Sequence, residues 1–198
     1  KLRDYNENNH ALSGKEMIEA VKGAVATNEV NAAMGIICAT PTAGSSGTIP
    51  GVLFKLEKTH DLTEDQMIDF LFTSALFGRV VANNASVAGA TGGCQAEVGS
   101  ASAMAAAASV AIFNGTPEQS GHAMALAISN LLGLVCDPVA GLVEIPCVMR
   151  NAIGSGNALI SADLALAGVE SRIPVDEVIG AMDRVGRNLP ASLRETGL

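Results

Sequence analysis

Three of the four cysteines fall within residues 89–147, and they are the side chains best suited to chemistry. Cys94 follows two glycines, Cys136 precedes an Asp-Pro pair, and Cys147 follows a proline. The gaps between them are 41 and 10 residues long. Because these gaps are wide, a centre shared by the three sulfurs would have to be assembled by the fold.

The cysteine spacing excludes two common metal motifs and leaves three interpretations open. Zinc ribbons and fingers contain Cys-x2-Cys pairs, ferredoxins contain a compact run of cysteines, and this chain has neither. The sulfurs are buried free thiols, ligands of a metal or cluster, or include a catalytic thiol. A catalytic thiol would need a histidine partner, and this signal is weak because all three histidines lie in or beside polar segments. They are His10, His60 and His122.

Residues 39–48, with the sequence ATPTAGSSGT, form a second segment of interest. They precede a helix predicted to open at Ile49-Pro50, with the proline in its first turn. Hydroxyl groups, backbone amides and the helix N-terminus can together face one anion, such as a carboxylate. An ordinary Ser/Gly turn is the alternative interpretation.

Composition limits the class of protein. The chain has 198 residues, enough for one domain with a core, and it is 48% hydrophobic but only 3% aromatic. With 21 glycines and many alanines, small residues must do much of the packing, which lets helix backbones approach closely. The net charge of −8 argues against nucleic acid and against an anionic membrane surface as partners.

The sequence also bears on the cellular location of the protein and on whether the chain is part of a longer one. Four cysteines are too few for a disulfide scaffold and no signal peptide is visible, so reduced thiols in a cytoplasm are expected. Two long uncharged runs, 98–117 and 119–136, are diluted by polar residues and predict buried core helices rather than membrane spans. The first residue, Lys1, and the end at Leu198 suggest a fragment of a longer protein.

Helical signals occur along most of the chain, and no segment shows the alternation typical of strands. Three capping boxes are predicted, at 13–16, 63–66 and 116–119. Helices are predicted at 13–27 with a possible extension to 38, then at 50–58, 63–82, 94–113, 116–134 and 144–168 with a break allowed at 154–156, and from 174 onward. Residues 1–12 are expected to be loosely held, and 136–141 to form a turn. The fold class is therefore all-α, a compact multi-helix single domain spanning 1–198, with the cysteines on Gly-rich loops.

Four segments resemble the iron–sulfur-dependent L-serine dehydratases, specifically the alpha chain of the two-chain bacterial form. They are ATPTAGSSG at 39–47, GATGGCQAEVG at 89–99, CDPVAGLVEIPCVMRNA at 136–152, and RET at 194–196. The resemblance covers nearly the whole chain. It implies a cytoplasmic lyase of serine catabolism and gluconeogenesis that converts L-serine to pyruvate and ammonia, works in an oligomer, and has a beta chain as partner.

The resemblance also implies a [4Fe–4S] cluster held by Cys94, Cys136 and Cys147. In the family the fourth iron has no cysteine ligand during turnover and binds substrate, in a mechanism similar to that of aconitase. Helix-start thiolate character at Cys94, and the absence of side chains at Gly92 and Gly93, agree with a bulky cluster there. Cys38 lies outside the matched ligand positions and is expected to be a small apolar residue on a helix.

The substrate carboxylate is assigned, as a hypothesis, to hydroxyl and amide side chains near the cluster. These are Thr42, Ser45 and Ser46, with Thr91 and Gln95 nearby. The catalytic base stays unassigned, since neither His122 nor Glu97 is distinguished by sequence. A pyridoxal-phosphate enzyme with the same net reaction, and a non-enzymatic subunit with inert thiols, are the alternatives.

Overall fold

Helices make up the regular structure of the part of the chain that the computed structural model describes, residues 1–136 and 144–195. No strand occurs in these ranges, which confirms the all-α prediction. The helices are α1 (Leu2–Asn8), α2 (Lys15–Ala32), α3 (Thr48–His60), α4 (Glu64–Asn84), α5 (Gly89–Gly92), α6 (Ser100–Ile112), α7 (Pro117–Asn130), α8 (Glu144–Leu166) and α9 (Val175–Asn188). A wide π-type turn, Gln95–Gly99, leads into α6, and a 3-10 turn, Ala191–Leu193, follows α9.

Helix α6 lies at the centre of the domain. Helices α3, α4, α7 and α8 all pack against it, and every residue from Ser100 to Val110 is buried. Most of these residues are alanine or serine, whose short side chains let the surrounding helices approach closely. This confirms the prediction of a buried core helix. Within the described ranges, no helix combines the length and the apolar character needed to cross a bilayer.

Helices α2 and α3 cross with their backbones in contact. A Cβ atom added at Gly51 would lie 2.7 Å from the carbonyl oxygen of Ala20 and 2.8 Å from the Cβ of Ala24. A Cβ added at Gly23 would lie 3.1 Å from the Cα of Gly51. Glycine is therefore required at this crossing because any side chain at position 51 would overlap the facing backbone.

Two of the three capping boxes are confirmed. Thr63 with Gln66, and Thr116 with Gln119, each exchange both hydrogen bonds of the motif at the starts of α4 and α7. The box predicted at Ser13 is wrong. There Gly14 is the N-cap residue, with φ of 85°, and no side chain caps the helix.

Three further expectations are corrected. Residues 1–12 are not simply loose, because α1 is docked through the buried Asn6, whose amide nitrogen donates to Lys15 O and to Glu19. Helix α8 runs unbroken through Gly154, where a Cβ would lie 2.8 Å from the Thr48 hydroxyl oxygen, so this glycine permits close packing. Residues 89–92 form the short helix α5 rather than a loop. The turn predicted after Cys136 falls on 137–143 and lies outside the described residues.

We predict that Gly51→Ala destabilises the protein by about 1–3 kcal/mol, because the added methyl group forces the α2 and α3 backbones apart. The measurement is the free energy of unfolding from urea titration. Gly121→Ala is the matched control, since a Cβ at this α7 position meets nothing within 4 Å. It should be neutral or stabilising by about 0.5–1 kcal/mol. A Gly51→Ala protein as stable as the control would contradict the close crossing.

A second prediction concerns acid stability. The Lys22 ammonium, 2.6 Å from Glu19, lowers the pKa of that carboxyl to about 2, with further hydrogen bonds from Lys58 and Asn6. Because the folded pKa lies below the ordinary value of 4.5, the stabilisation is present above pH 4.5 and is lost as the pH falls toward 2.

Glu19→Gln should therefore cost about 1–2 kcal/mol at pH 7, after allowance for the solvent exposure of the lysines, and almost nothing near pH 2. Unfolding free energies of the two proteins across this pH range provide the measurement. Glu29→Gln, at an exposed position of the same helix, is the control. A difference that stays constant with pH would refute the ion-pair explanation.

Candidate functional site

The three sulfurs predicted to share a centre do converge. The Cys94 and Cys136 Sγ atoms lie 3.2 Å apart, and Cys147 belongs to the same buried cluster. All three side chains are at most 5% exposed. Cys94 directly precedes the π-type turn, Cys136 follows α7, and Cys147 lies in the first turn of α8.

Backbone contacts place Cys94 beside Cys136. Gly93 has a φ of 71°, and a Cβ there would lie 2.9 Å from Leu189 and 3.1 Å from the carbonyl oxygen of Leu134, so only glycine fits. The backbone amide of Gln95 donates to the same Leu134 oxygen at 2.8 Å. The two cysteines are therefore brought together by hydrogen bonds between the segments that carry them.

The pKa values of the three cysteines are shifted in different directions. Hydrogen bonds from the Cys136 and Cys147 thiols, together with the Arg150 guanidinium 3.1 Å away, lower the pKa of Cys94 to about 3. The same contacts, together with burial, raise the pKa of Cys136 and of Cys147 well above the ordinary thiol value. The neighbouring thiols and the Arg150 guanidinium therefore favour the thiolate form at Cys94. Sequence had attributed the thiolate to the helix start, and the structure adds the neighbouring thiols and Arg150.

Glu97 brings a carboxylate to the sulfurs. It is 4% exposed, and one of its oxygens lies within 4.8 Å of the sulfurs of Cys94 and Cys136, a group that could hold a metal ion. Burial raises the pKa of Glu97 to about 7; the negative charges of Glu195 and Cys94 add to this, and a hydrogen bond from Thr42 opposes it. Sequence alone did not distinguish Glu97 from a core or capping carboxylate.

The hydroxyl-rich segment 39–48 packs directly on Glu97. Thr42 Oγ1 donates to Glu97 Oε1 at 2.6 Å and lies 3.1 Å from Ser45 Oγ. A Cβ at Gly44 would lie 3.1 Å from Glu97 Oε2, and one at Gly89 would lie 2.6 Å from it. These two glycines let both segments close around the carboxylate, so the cysteine centre and the hydroxyl pair form one continuous site.

The other residues predicted to bind substrate lie further from this contact. Ser46 is buried and lines an apolar groove with Ile49 and Leu53, and its hydroxyl has no partner among the described residues. Thr91 is exposed beside α9. The side-chain amide of Gln95 donates to Met182 O and accepts from Gly133 N, so it holds the turn before Cys136.

The fourth cysteine is not where sequence placed it. Cys38 lies in an extended segment after α2 and is exposed, so the expectation of a small apolar residue on a helix is wrong. Helix α2 ends at Ala32, and the chain then leaves the helix through Met34, with φ of 61°. Cys38 lies outside the cluster of the other three sulfurs.

Three residues at the site were missed by sequence reasoning. Arg150 and Asn151 follow Cys147 by three and four positions, a spacing that puts helical residues on one face and could have indicated them. Asn151 is fully buried and bonds both Cys147 O and the 44–48 segment. Glu195 reaches the site through a hydrogen bond from its backbone amide to Gly89 O, and the RET segment at 194–196, which carries part of the resemblance, is the signal that could have indicated it.

Comparison with known proteins agrees with these features. A family model described as serine dehydratase alpha chain matches residues 1–198. The "Probable L-serine dehydratase, alpha chain" of Bacillus subtilis (strain 168) is 64% identical over 197 residues, covering 100% of this chain and 66% of the relative. The protein of the same description from Latilactobacillus sakei is 68% identical over 182 residues, 92% of this chain and 87% of the relative.

A third relative is more distant. The "L-serine dehydratase, alpha chain" of Peptoniphilus asaccharolyticus is 51% identical over 195 residues, covering 98% of this chain and 67% of the relative. The chain thus spans about two thirds of the length of the Bacillus and Peptoniphilus relatives. With the family model matched from the first residue to the last, the chain belongs to the serine dehydratase alpha chain family.

Proposed function

We propose that this chain carries the active site of an L-serine dehydratase, which eliminates water from L-serine and yields pyruvate and ammonia. The observation that carries the proposal is the convergence of three buried cysteines on a carboxylate and a hydroxyl pair, in a chain of this family. The relatives' names supply the substrate. The site supplies groups of the right chemistry to bind it.

Cys94, Cys136 and Cys147 are proposed to hold a [4Fe–4S] cluster. The donor set fits, because iron–sulfur clusters are bound by thiolates and Cys94 already favours that state. The Cys94 and Cys136 sulfurs, now 3.2 Å apart, would have to separate, since each cysteine would bind a different iron atom. When bound, the cluster would supply a Lewis-acidic iron for departure of the substrate hydroxyl group.

Thr42 and Ser45 are proposed to bind the substrate carboxylate. Of the five residues expected in this role, Thr42 bonds Glu97 next to the sulfurs and Ser45 bonds Thr42, whereas the Gln95 side chain bonds backbone groups. A bound carboxylate would accept the hydrogen bond that Thr42 now donates to Glu97. The Glu97 oxygen would then be able to accept from the ammonium group of the same substrate, which orients the amino acid at both charged groups.

We also propose a partner chain and a cellular location for this protein. The relatives are named as alpha chains, so we propose that a beta chain completes the enzyme and that the assembly is an oligomer. A cytoplasmic location is proposed because buried, reduced thiols are typical of that compartment.

We predict that Ser substitution of Cys94, Cys136 or Cys147 lowers iron binding and pyruvate formation at least about a hundredfold, because each removes a thiolate ligand. The complete alpha chain is reconstituted anaerobically with iron and sulfide, combined with the beta chain and assayed with L-serine. Iron and sulfide per chain are measured alongside activity. Cys38→Ser is the control and should match the wild type, because Cys38 is exposed and outside the cluster.

Two results would overturn this assignment. A wild-type chain that takes up no iron would favour a non-enzymatic subunit with inert thiols. Activity that persists without iron and is abolished by borohydride would instead indicate a pyridoxal-phosphate enzyme, whose internal aldimine borohydride reduces.

A separate prediction tests the hydroxyl pair. Ser45→Ala and Thr42→Val should each raise the KM for serine about tenfold or more, because each removes a hydrogen bond to a charged group. Iron content should not change. Ser120→Ala is the control: its hydroxyl is equally buried but bonds Ala107 O, within the α6–α7 contact. An unchanged KM in both site variants would remove Thr42 and Ser45 from the proposal.

A further inference from the structure

Asn151 stands apart from the other buried amides because its side chain is completely engaged. Its Oδ1 accepts from the Gly47 amide and from the Thr48 hydroxyl, both at 3.0 Å. Its Nδ2 donates to Gly44 O and to Cys147 O, both at 2.8 Å. An asparagine side chain has two acceptor sites and two donor hydrogens, so every one is used.

Three of these bonds join α8 to a segment about a hundred residues earlier in the sequence, and the fourth, to Cys147 O, lies within α8. One end is the backbone of Cys147, in the first turn of α8. The other end is the segment on either side of Ser45, held at Gly44 and at Gly47. The side chain thus spans the gap between a cysteine of the centre and the hydroxyl segment, in a place that excludes water, since Asn151 is 0% exposed.

The surface of α8 is shaped for the same contact. One turn after Asn151, a Cβ at Gly154 would lie 2.8 Å from the Thr48 hydroxyl oxygen. The hydroxyl segment therefore sits directly on α8 and has little freedom to shift along it. Helix α2 also holds the segment, because Asn28 donates to the same Gly44 oxygen at 3.1 Å.

We infer that Asn151 is a positioning residue that sets the distance between the substrate-binding hydroxyls and the cysteine centre. It touches neither substrate nor cofactor. This inference rests on the proposed function, because the distance matters for catalysis only if the substrate contacts both groups at once. A displacement of about 1 Å in such an arrangement can cost about a hundredfold in rate.

The test compares Asn151→Asp with Asn28→Ala in the reconstituted enzyme with its beta chain. Asn151→Asp keeps acceptors for Gly47 and Thr48 but loses both donors, so the bonds to Gly44 O and Cys147 O are removed together. Asn28→Ala removes a bond to the same Gly44 oxygen and leaves the link to α8 intact. Asn151→Ser is the second variant, scored in the same way if the aspartate protein does not fold.

At equal iron content, Asn151→Asp should lower kcat about a hundredfold with a smaller change in KM, because the bound substrate is misaligned rather than released. Asn28→Ala should change kcat by less than about fivefold, as expected for one lost hydrogen bond. Equal kcat values in the two variants would overturn the inference.

A second readout does not depend on activity. If Asn151 couples the two parts, loading the cysteines with iron and sulfide should slow amide hydrogen exchange at residues 44–48 in the wild type and in Asn28→Ala. The same loading should leave exchange unchanged in Asn151→Asp. An equal response in all three proteins would refute the coupling. A loaded wild type that does not convert serine would refute the proposed function instead, and the exchange comparison would still decide the role of Asn151.

Discussion

Burial of negative charge at Cys94 and Glu97 is the constraint on which the rest of the site depends. Both side chains are almost fully buried, and an isolated charge there would be costly. Each charge has partners from a different part of the chain: Arg150 from α8 beside Cys94, and Thr42 from the 39–48 segment beside Glu97. These partners can act only where the fold holds them, so the electrostatics of the site require the packing around it.

That packing is made possible by small residues. Helix α6 is lined with alanine and serine, so four helices approach it closely, and the chain enters it through the wide turn Gln95–Gly99. Wide turns of this kind are frequent at functional sites. Here the turn carries Glu97 toward the sulfurs, while Gln95, two residues earlier, bonds to the backbone of Met182 and Gly133. One turn thus serves both the site and its support.

Sequence predicted the parts of the molecule that local patterns determine. The all-α class, the main helices and the capping boxes at Thr63 and Thr116 follow from periodicity and hydrogen-bonding side chains within one turn. The predictions that were wrong concern positions where a neighbouring residue or a tertiary contact determines the local structure. At Ser13 the neighbouring Gly14 takes a left-handed backbone conformation and becomes the cap instead. At Gly154 tertiary contact with Thr48 explains a glycine that resembled a helix break.

The candidate site was also predictable from the sequence only in part. The cysteines were identified because their types and flanking residues are distinctive, but their convergence was expected from resemblance and not from spacing. The sequence could not distinguish Glu97 and Asn151 from other polar residues in helices, because their importance comes from groups that only the fold brings into contact with them. A polar residue in an apolar helical stretch is a weak signal, and only coordinates show whether it faces a ligand group or a neighbouring backbone.

The arrangement of charges also limits what the centre can hold. Burial raises the pKa of Glu97, as do the negative charges of Glu195 and Cys94, so the site already resists further negative charge. Arg150 offsets part of this at Cys94. Ionising Cys94, Cys136 and Glu97 together would place negative charges within 4.8 Å of one another in a low-dielectric core, and a bound cation would relieve that repulsion. A metal-containing group therefore fits the electrostatics of this centre, where two sulfurs and a carboxylate lie close enough together to hold a metal ion.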